Sequence, residues 1–120
     1  MASHRLLLVE DEFLIRMTLS EVLTDDGFEV LEAEDGPAAL ALLEKEDDIA
    51  LLLTDIQLPG GVDGKTLASR GRERRPDLPV IFMSGRSETR PDPNPLNIYV
   101  NKPYSPIALS ARVREILDGA

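Results

Sequence analysis

Glu10 and Asp11, Asp55, Ser84 and Lys102 each stand where a short apolar run gives way to polar sequence. Together they offer three carboxylates, one hydroxyl and one amine. Carboxylates brought close together repel one another unless a cation neutralises them, and an all-oxygen set without His or Cys suits the hard cation Mg²⁺. Lys102 is the one fixed positive charge of the group. Acids, metal, hydroxyl and lysine form a constellation able to hold a phosphoryl group during in-line transfer. Singly, each residue has an ordinary reading: acids after strands are common turn formers, Ser84-Gly85 is a turn pair, and an aspartate after a strand is more often a helix cap than a nucleophile. Their joint position favours the chemical reading. No Ser–His–Asp arrangement or phosphate-cradling glycine loop is present, and the lone His4 reads as a terminal residue.

The elements that must position these groups alternate along the chain. Arg5-Leu6-Leu7-Leu8-Val9 is short and stops at Glu10, Asp11 and Glu12, which favours a strand over a buried helix. Leu14, Ile15, Leu19, Val22 and Leu23 follow at helical spacing, and Gly27 is placed to cap that helix. Phe28–Ala33 alternates in part, as an edge strand does, and Glu34-Asp35 after it reads as loop. Pro37 opens a second helix, where its missing N–H costs nothing. Ile49–Thr54 is continuously apolar, as expected of a strand covered on both faces, and ends at Asp55. Pro59-Gly60-Gly61 turns into a helix from about Gly64 to Arg75. Val80–Met83 is the fourth strand, ending at Ser84, and Ile98–Val100 the fifth, ending before Lys102. A last helix runs from Ser105 to Gly119. Such alternation implies right-handed crossovers and an open parallel sheet, whose ligands bind beyond the carboxyl ends of the strands.

One interval breaks the rhythm. Pro91, Pro93 and Pro95 sit between Arg86 and Leu96 with almost no apolar residue, and prolines at alternate positions cannot occupy a helix interior. The expectation there is at most one helical turn after Ser87, then an extended, mobile loop.

With 120 residues, 42% of them hydrophobic and 29% charged, the chain is expected to form a single domain over 1–120. Lacking cysteine, it uses neither disulfides nor a thiolate metal site. No apolar run is long enough to span a bilayer and no signal pattern opens the chain, so the cytoplasm is the expected compartment, without membrane insertion. A net charge of −9 argues against direct nucleic-acid binding, which relies on Lys and Arg. The locally basic Arg70, Arg72, Arg74 and Arg75 read as a solvated helix end whose cations complement the helix dipole.

Over essentially its whole length the sequence resembles the receiver domain of two-component response regulators. The resemblance rests on Leu7-Leu8-Val9-Glu10-Asp11-Glu12, Leu52-Leu53-Thr54-Asp55-Ile56-Gln57-Leu58-Pro59, Phe82-Met83-Ser84-Gly85 and Tyr99-Val100-Asn101-Lys102-Pro103-Tyr104, in that order. It implies a flavodoxin-like, doubly wound five-stranded parallel sheet of order 2-1-3-4-5, with helices on both faces and the family's fourth helix shortened or disordered here. It further implies that Asp55 is the phosphoacceptor, Asp11 a direct Mg²⁺ ligand, Glu10 its neighbour acting through metal-bound water, and the Gln57 backbone carbonyl part of the shell. Ser84 would hydrogen-bond the phosphoryl group, Lys102 would pair with it, and Lys102–Pro103 would be cis. Phosphorylation would draw Ser84 inward and free space into which Tyr99 turns. A sensor histidine kinase or histidine phosphotransfer protein is the implied donor, and the output is altered binding to a downstream protein partner.

Departures from the pattern are the longer Glu10 in place of aspartate, an added residue in Gly60-Gly61 that would alter kinase docking or water access, and the proline-rich interval. Two other functions compete. A degenerate receiver would bind a protein constitutively without taking phosphate, against which the retained Glu10, Asp11, Asp55, Ser84 and Lys102 speak. An aspartate-based phosphohydrolase would need a second acid two residues beyond Asp55, where Gln57 stands.

Overall fold

The structure, a computed structural model, describes residues 4–85 and 92–119. Nine elements follow in chain order: β1 (Arg5–Val9), α1 (Phe13–Asp25), β2 (Glu29–Ala33), α2 (Gly36–Lys45), β3 (Ile49–Asp55), α3 (Gly64–Arg74), β4 (Val80–Ser84), β5 (Asn97–Asn101) and α4 (Pro106–Asp118). The strands form one parallel sheet in the order β2-β1-β3-β4-β5.

The two-residue period of the strands sorts their side chains into two cores. Leu7, Val9, Leu52, Val80 and Phe82 pack beneath α2 and α3 with Ala39, Leu43, Leu67 and Ala68. Leu6, Leu8, Leu51, Leu53, Ile81 and Met83 pack beneath α1 and α4 with Leu19, Leu23, Leu109 and Val113. A fully buried leucine contributes roughly 1.5–3 kcal/mol by leaving water, so the apolar runs of β1, β3 and β4 supply much of the driving force.

Polar residues set the ends of the helices. The Asp35 side chain accepts from Ala38 N at 2.8 Å, Asp63 from Thr66 N at 2.8 Å, and Ser105 from Ala108 N at 3.2 Å. Asp35, expected only as loop, is thus the cap of α2. Of the four arginines expected to be a solvated helix end, Arg70 remains exposed and pairs with Glu73, while the other three bind carbonyls. Arg72 Nε donates to Leu78 O at 3.1 Å, Arg74 to Leu43 O at 3.1 Å, and Arg75 to Ile49 O at 2.7 Å. Guanidinium groups can reach carbonyls that the chain leaves unpaired between elements, a use that charge counting does not register.

Among the described residues no helix lies between β4 and β5. The expected turn after Ser87 lies outside the described residues, as does 86–91. Residues 92–96 depart from the expected extended loop. Asp92 Oδ1 accepts from Asn94 N and Asn94 Oδ1 from Leu96 N, at 2.8 and 2.9 Å, while Asn97 N donates to Asn94 O at 3.1 Å. Side-chain-to-backbone bonds of this kind draw a proline-containing stretch into successive turns without any apolar core.

Candidate functional site

Strand register brings the candidate residues to one edge. Val9 pairs with Thr54, Asp55 with Met83, and Ser84 with Asn101. Glu10 and Asp11, Asp55, Ser84 and Lys102 therefore leave the sheet at one height. A cleft of about 570 Å³ opens there, lined by Asp11, Asp55, Ile56, Gln57, Ser84 and Lys102 among others. Glu10 lies beneath it, fully buried. Lys102 N donates to Ser84 O at 2.7 Å, locking the ends of β4 and β5 together, and the Lys102–Pro103 peptide is cis as expected.

Backbone that only glycine permits shapes the floor. A Cβ on Gly64 would lie 2.2 Å from the Asp55 carbonyl oxygen, so α3 starts directly against the backbone of Asp55. Gly60 and Gly61, both at positive φ (93° and 84°), turn the loop after Asp55, and Gly60 closes on the Pro37 ring at the start of α2. The loop after Asp55 is thereby seated on α2.

Two acids and one lysine share the buried part of the site. Lys102 Nζ stands 2.7 Å from Asp55 Oδ1 and 3.2 Å from Glu10 Oε1. Glu10 Oε2 accepts from Glu12 N at 3.0 Å, so the acids before α1 serve the cleft rather than cap the helix, which has no side-chain N-cap. Burial raises the Asp55 carboxyl to about 7; the ammonium of Lys102 opposes this, and the nearby Glu10 reinforces it. Burial also works against ionised Glu10, but contacts with Asp55, the Glu12 N–H and Lys102 outweigh it and hold that carboxyl below its usual range. Two close carboxyls thus resist ionising together, which raises Asp55 while Glu10 is held down. Burial would lower Lys102, yet the two acids keep its ammonium well above the ordinary lysine range.

This donor set fits a hard divalent cation. Carboxylate oxygens of Glu10, Asp11 and Asp55 lie within 4.8 Å of one another, and Asp11 is exposed at the cleft mouth. Asp55 Oδ1 is buried, and despite its closeness to Lys102 it receives no directed hydrogen bond among the described residues. A buried carboxylate oxygen beside an ammonium shared with Glu10 has lone-pair capacity left for a cation or for bond formation.

Tyr99, on β5, lies on the α3 side of the sheet, its ring stacked on Phe82 at 5.2 Å. Its hydroxyl donates to Asp92 Oδ2 at 2.6 Å and accepts from Lys65 Nζ. Neither Lys65 nor Asp92 is recognisable as part of the site from sequence, since the one is an exposed residue in the first turn of α3 and the other sits between prolines. Tyr104 is a further addition. Its hydroxyl is buried without a hydrogen-bond partner among the described residues, and burial with the nearby Glu10 charge pushes it up to about 12.

Known proteins share the family and the fold of this chain. The model of the response regulator receiver domain matches residues 6–114. The aerobic respiration control protein ArcA of Escherichia coli is 36% identical over 98% of this chain and 50% of its own length. The chain spans about half the length of the curated relatives it matches. A CheY-like receiver domain protein from Methanospirillum hungatei superposes with a TM-score of 0.84 at 28% identity, covering 98% of this chain and 96% of that one. The response regulator protein TrrA of Thermotoga maritima, in complex with Mg(2+)-BeF, does so with a TM-score of 0.81 at 31% identity, covering 95% and 99%.

Proposed function

The chain belongs to the response regulator receiver family, and from that membership we propose that it is a single receiver domain over 1–120 that takes a phosphoryl group onto Asp55 from a phosphohistidine donor. The observation that carries the reading is the Asp55 carboxylate, buried at the floor of an open cleft with Lys102 Nζ 2.7 Å from Oδ1. One Asp55 oxygen forms the new O–P bond as the P–N bond of the donor breaks, and that electron pair returns to the imidazole nitrogen. Lys102 passes from the two carboxylates to the oxygens of the transferred group, and the Ser84 hydroxyl donates to another. Asp11, Asp55 and the Gln57 carbonyl would hold Mg²⁺, with Glu10 behind them through water. The bound ion supplies neutralisation of charge on the phosphoryl oxygens. The Mg(2+)-BeF complex of the TrrA neighbour supports this assignment.

A histidine kinase or histidine phosphotransfer protein is the proposed donor. An apolar groove of about 500 Å³ adjoins the acidic cleft, lined by Leu14, Ile15, Leu19, Pro103 and Tyr104, and Lys102 borders both. Leu14 in its wall is exposed, as are Phe13 and Ile107, which adjoin the lining residues Leu14 and Pro106 in sequence, a surface suited to the helices of a partner whose phosphohistidine must reach Asp55. Output is the rotation of Tyr99 as Ser84 is drawn to phosphate, which alters binding of a downstream protein.

Incubation with Mg²⁺ and acetyl phosphate, followed by intact mass, tests the reading. One added phosphate is expected in the wild type and none in Asp55→Asn. No addition from acetyl phosphate or from a phosphorylated histidine donor would instead identify a constitutive binding module.

A further inference from the structure

Tyr99 is held by more than its stacking on Phe82. Its hydroxyl is the meeting point of an exposed cation and a loop carboxylate: Lys65 donates to it, and it donates to Asp92 Oδ2 at 2.6 Å. The same Asp92 oxygen accepts from Asn97 Nδ2 at 2.8 Å, while Oδ1 accepts from Asn94 N at 2.8 Å. Lys65 Nζ also lies 4.6 Å from the ring centroids of both Phe82 and Tyr99. An ammonium there favours the electron-rich ring faces, and hydrogen bonds to a charged partner are about twice as strong as neutral ones. The Asp92 carboxyl is held down to about 2, by the Tyr99 hydroxyl first and then by the Asn94 and Asn97 donors.

These contacts join parts of the chain that phosphorylation would have to move apart. Lys65 follows Gly64, which abuts the Asp55 carbonyl. Phe82 lies two residues before Ser84, and Asp92 organises the turns that lead into β5. Tyr99 can leave its place only by breaking its bonds to both Lys65 and Asp92, which removes one side-chain tie on the 92–97 turn while the Val80 N to Leu96 O bond remains.

We infer that Lys65 and Asp92 are positioning residues that latch Tyr99 in the unphosphorylated arrangement and so set how readily the domain responds to a phosphoryl group. The inference rests on the phosphoacceptor reading for its functional consequence and on geometry alone for the latch. Any contact that favours the resting conformer lowers the apparent affinity for a ligand of the switched one by the same factor. Removing the latch must therefore tighten binding of a phosphoryl mimic at Asp55.

The test is titration of the protein, with Mg²⁺ present, with beryllofluoride, followed by calorimetry, for the wild type, Asp92→Asn, Lys65→Met, Tyr99→Phe and the double variant Asp92→Asn/Tyr99→Phe. Expected is binding roughly 3–10-fold tighter in each single variant, with the double variant no tighter than Tyr99→Phe, because that change already breaks the Tyr99–Asp92 bond. Unchanged affinity in Asp92→Asn and Lys65→Met, or additive gains in the double variant, would overturn the latch. Aromatic NMR of the Tyr99 ring gives a second readout in apo protein: one fixed set of signals in the wild type, averaged or shifted signals in Asp92→Asn. If the wild type binds no beryllofluoride, the phosphoacceptor reading fails, and the ring signals still decide the latch. A Tyr99 ring already averaged in the wild type would refute it.

Discussion

Burial raises the Asp55 carboxyl to about 7 although Lys102 Nζ is 2.7 Å away, because one ammonium is shared with Glu10 and the carboxylate has lost its water. The sign of the consequence follows from that direction. A carboxyl whose folded value exceeds its unfolded one stabilises the protein at low pH, and this contribution is lost as pH rises through the folded value. Metal-free protein should therefore lose stability between about pH 4 and 7, and Asp55→Asn, which removes the buried charge, should be the more stable protein at pH 8 by roughly 1–3 kcal/mol. The difference should vanish toward pH 5; urea titrations in chelator at the two pH values check both statements, and a wild type more stable at pH 8 than Asp55→Asn would contradict them. Mg²⁺ must displace the same proton, so its apparent Kd should rise as pH falls from 7.5 to 5.5, approaching tenfold per unit at the acid end. At this scale sequence was informative wherever a group ends a strand: the positions of Glu10, Asp11, Asp55, Ser84 and Lys102 follow once the strands are known. Lys65 and Asp92 were illegible for the opposite reason. Their meeting at Tyr99 depends on where α3 and a turn come to rest, which no local spacing encodes.

Two elements owe their function to how closely they approach the cleft. α3 begins where a Gly64 Cβ would stand 2.2 Å from the Asp55 carbonyl oxygen. Gly64→Ala should destabilise the fold by about 2–4 kcal/mol, since backbone meets backbone and neither can yield cheaply. It should also slow acetyl phosphate labelling of the molecules that remain folded; a thermal melt paired with labelling kinetics separates the two effects. α1 makes a different contribution. Leu14 is 68% exposed at the edge of the groove next to Lys102, so Leu14→Arg costs little stability. It should slow phosphoryl transfer from a protein donor at least tenfold while leaving acetyl phosphate labelling within about twofold, a loss comparable to truncating an interface anchor. Equal rates from the protein donor in both proteins would remove α1 from the docking surface. The five strands and the four helices of the described residues were legible from runs, caps and prolines. What escaped was carbonyl binding by arginine: Arg74 and Arg75 reach Leu43 O and Ile49 O far along the chain, Arg72 reaches Leu78 O just past its own helix, and Asp92 and Asn94 fold a stretch that composition alone marks as loose.

At the scale of the molecule the dominant quantity is the net charge of −9 on 120 residues. Such a chain repels itself when compact, and part of that repulsion is concentrated where Glu10, Asp11 and Asp55 place carboxylate oxygens within 4.8 Å of one another. Two kinds of cation should therefore stabilise it, by different routes. Monovalent salt screens the whole surface over a Debye length of about 8–10 Å and acts gradually. Mg²⁺ held at the cleft acts by mass action on the folded state alone, adding about 1.4 kcal/mol at ten times its Kd, or roughly 5 °C in Tm for a chain of this size. Asp11 separates the routes, because it is exposed at the cleft mouth and its removal leaves the core untouched. Melts in NaCl matched for ionic strength should show the Mg²⁺-specific increment in the wild type and lose it in Asp11→Asn, while the response to NaCl stays the same in both. An increment that survived Asp11→Asn, or that NaCl reproduced in full, would assign the effect to screening and leave the acidic cleft without its ion.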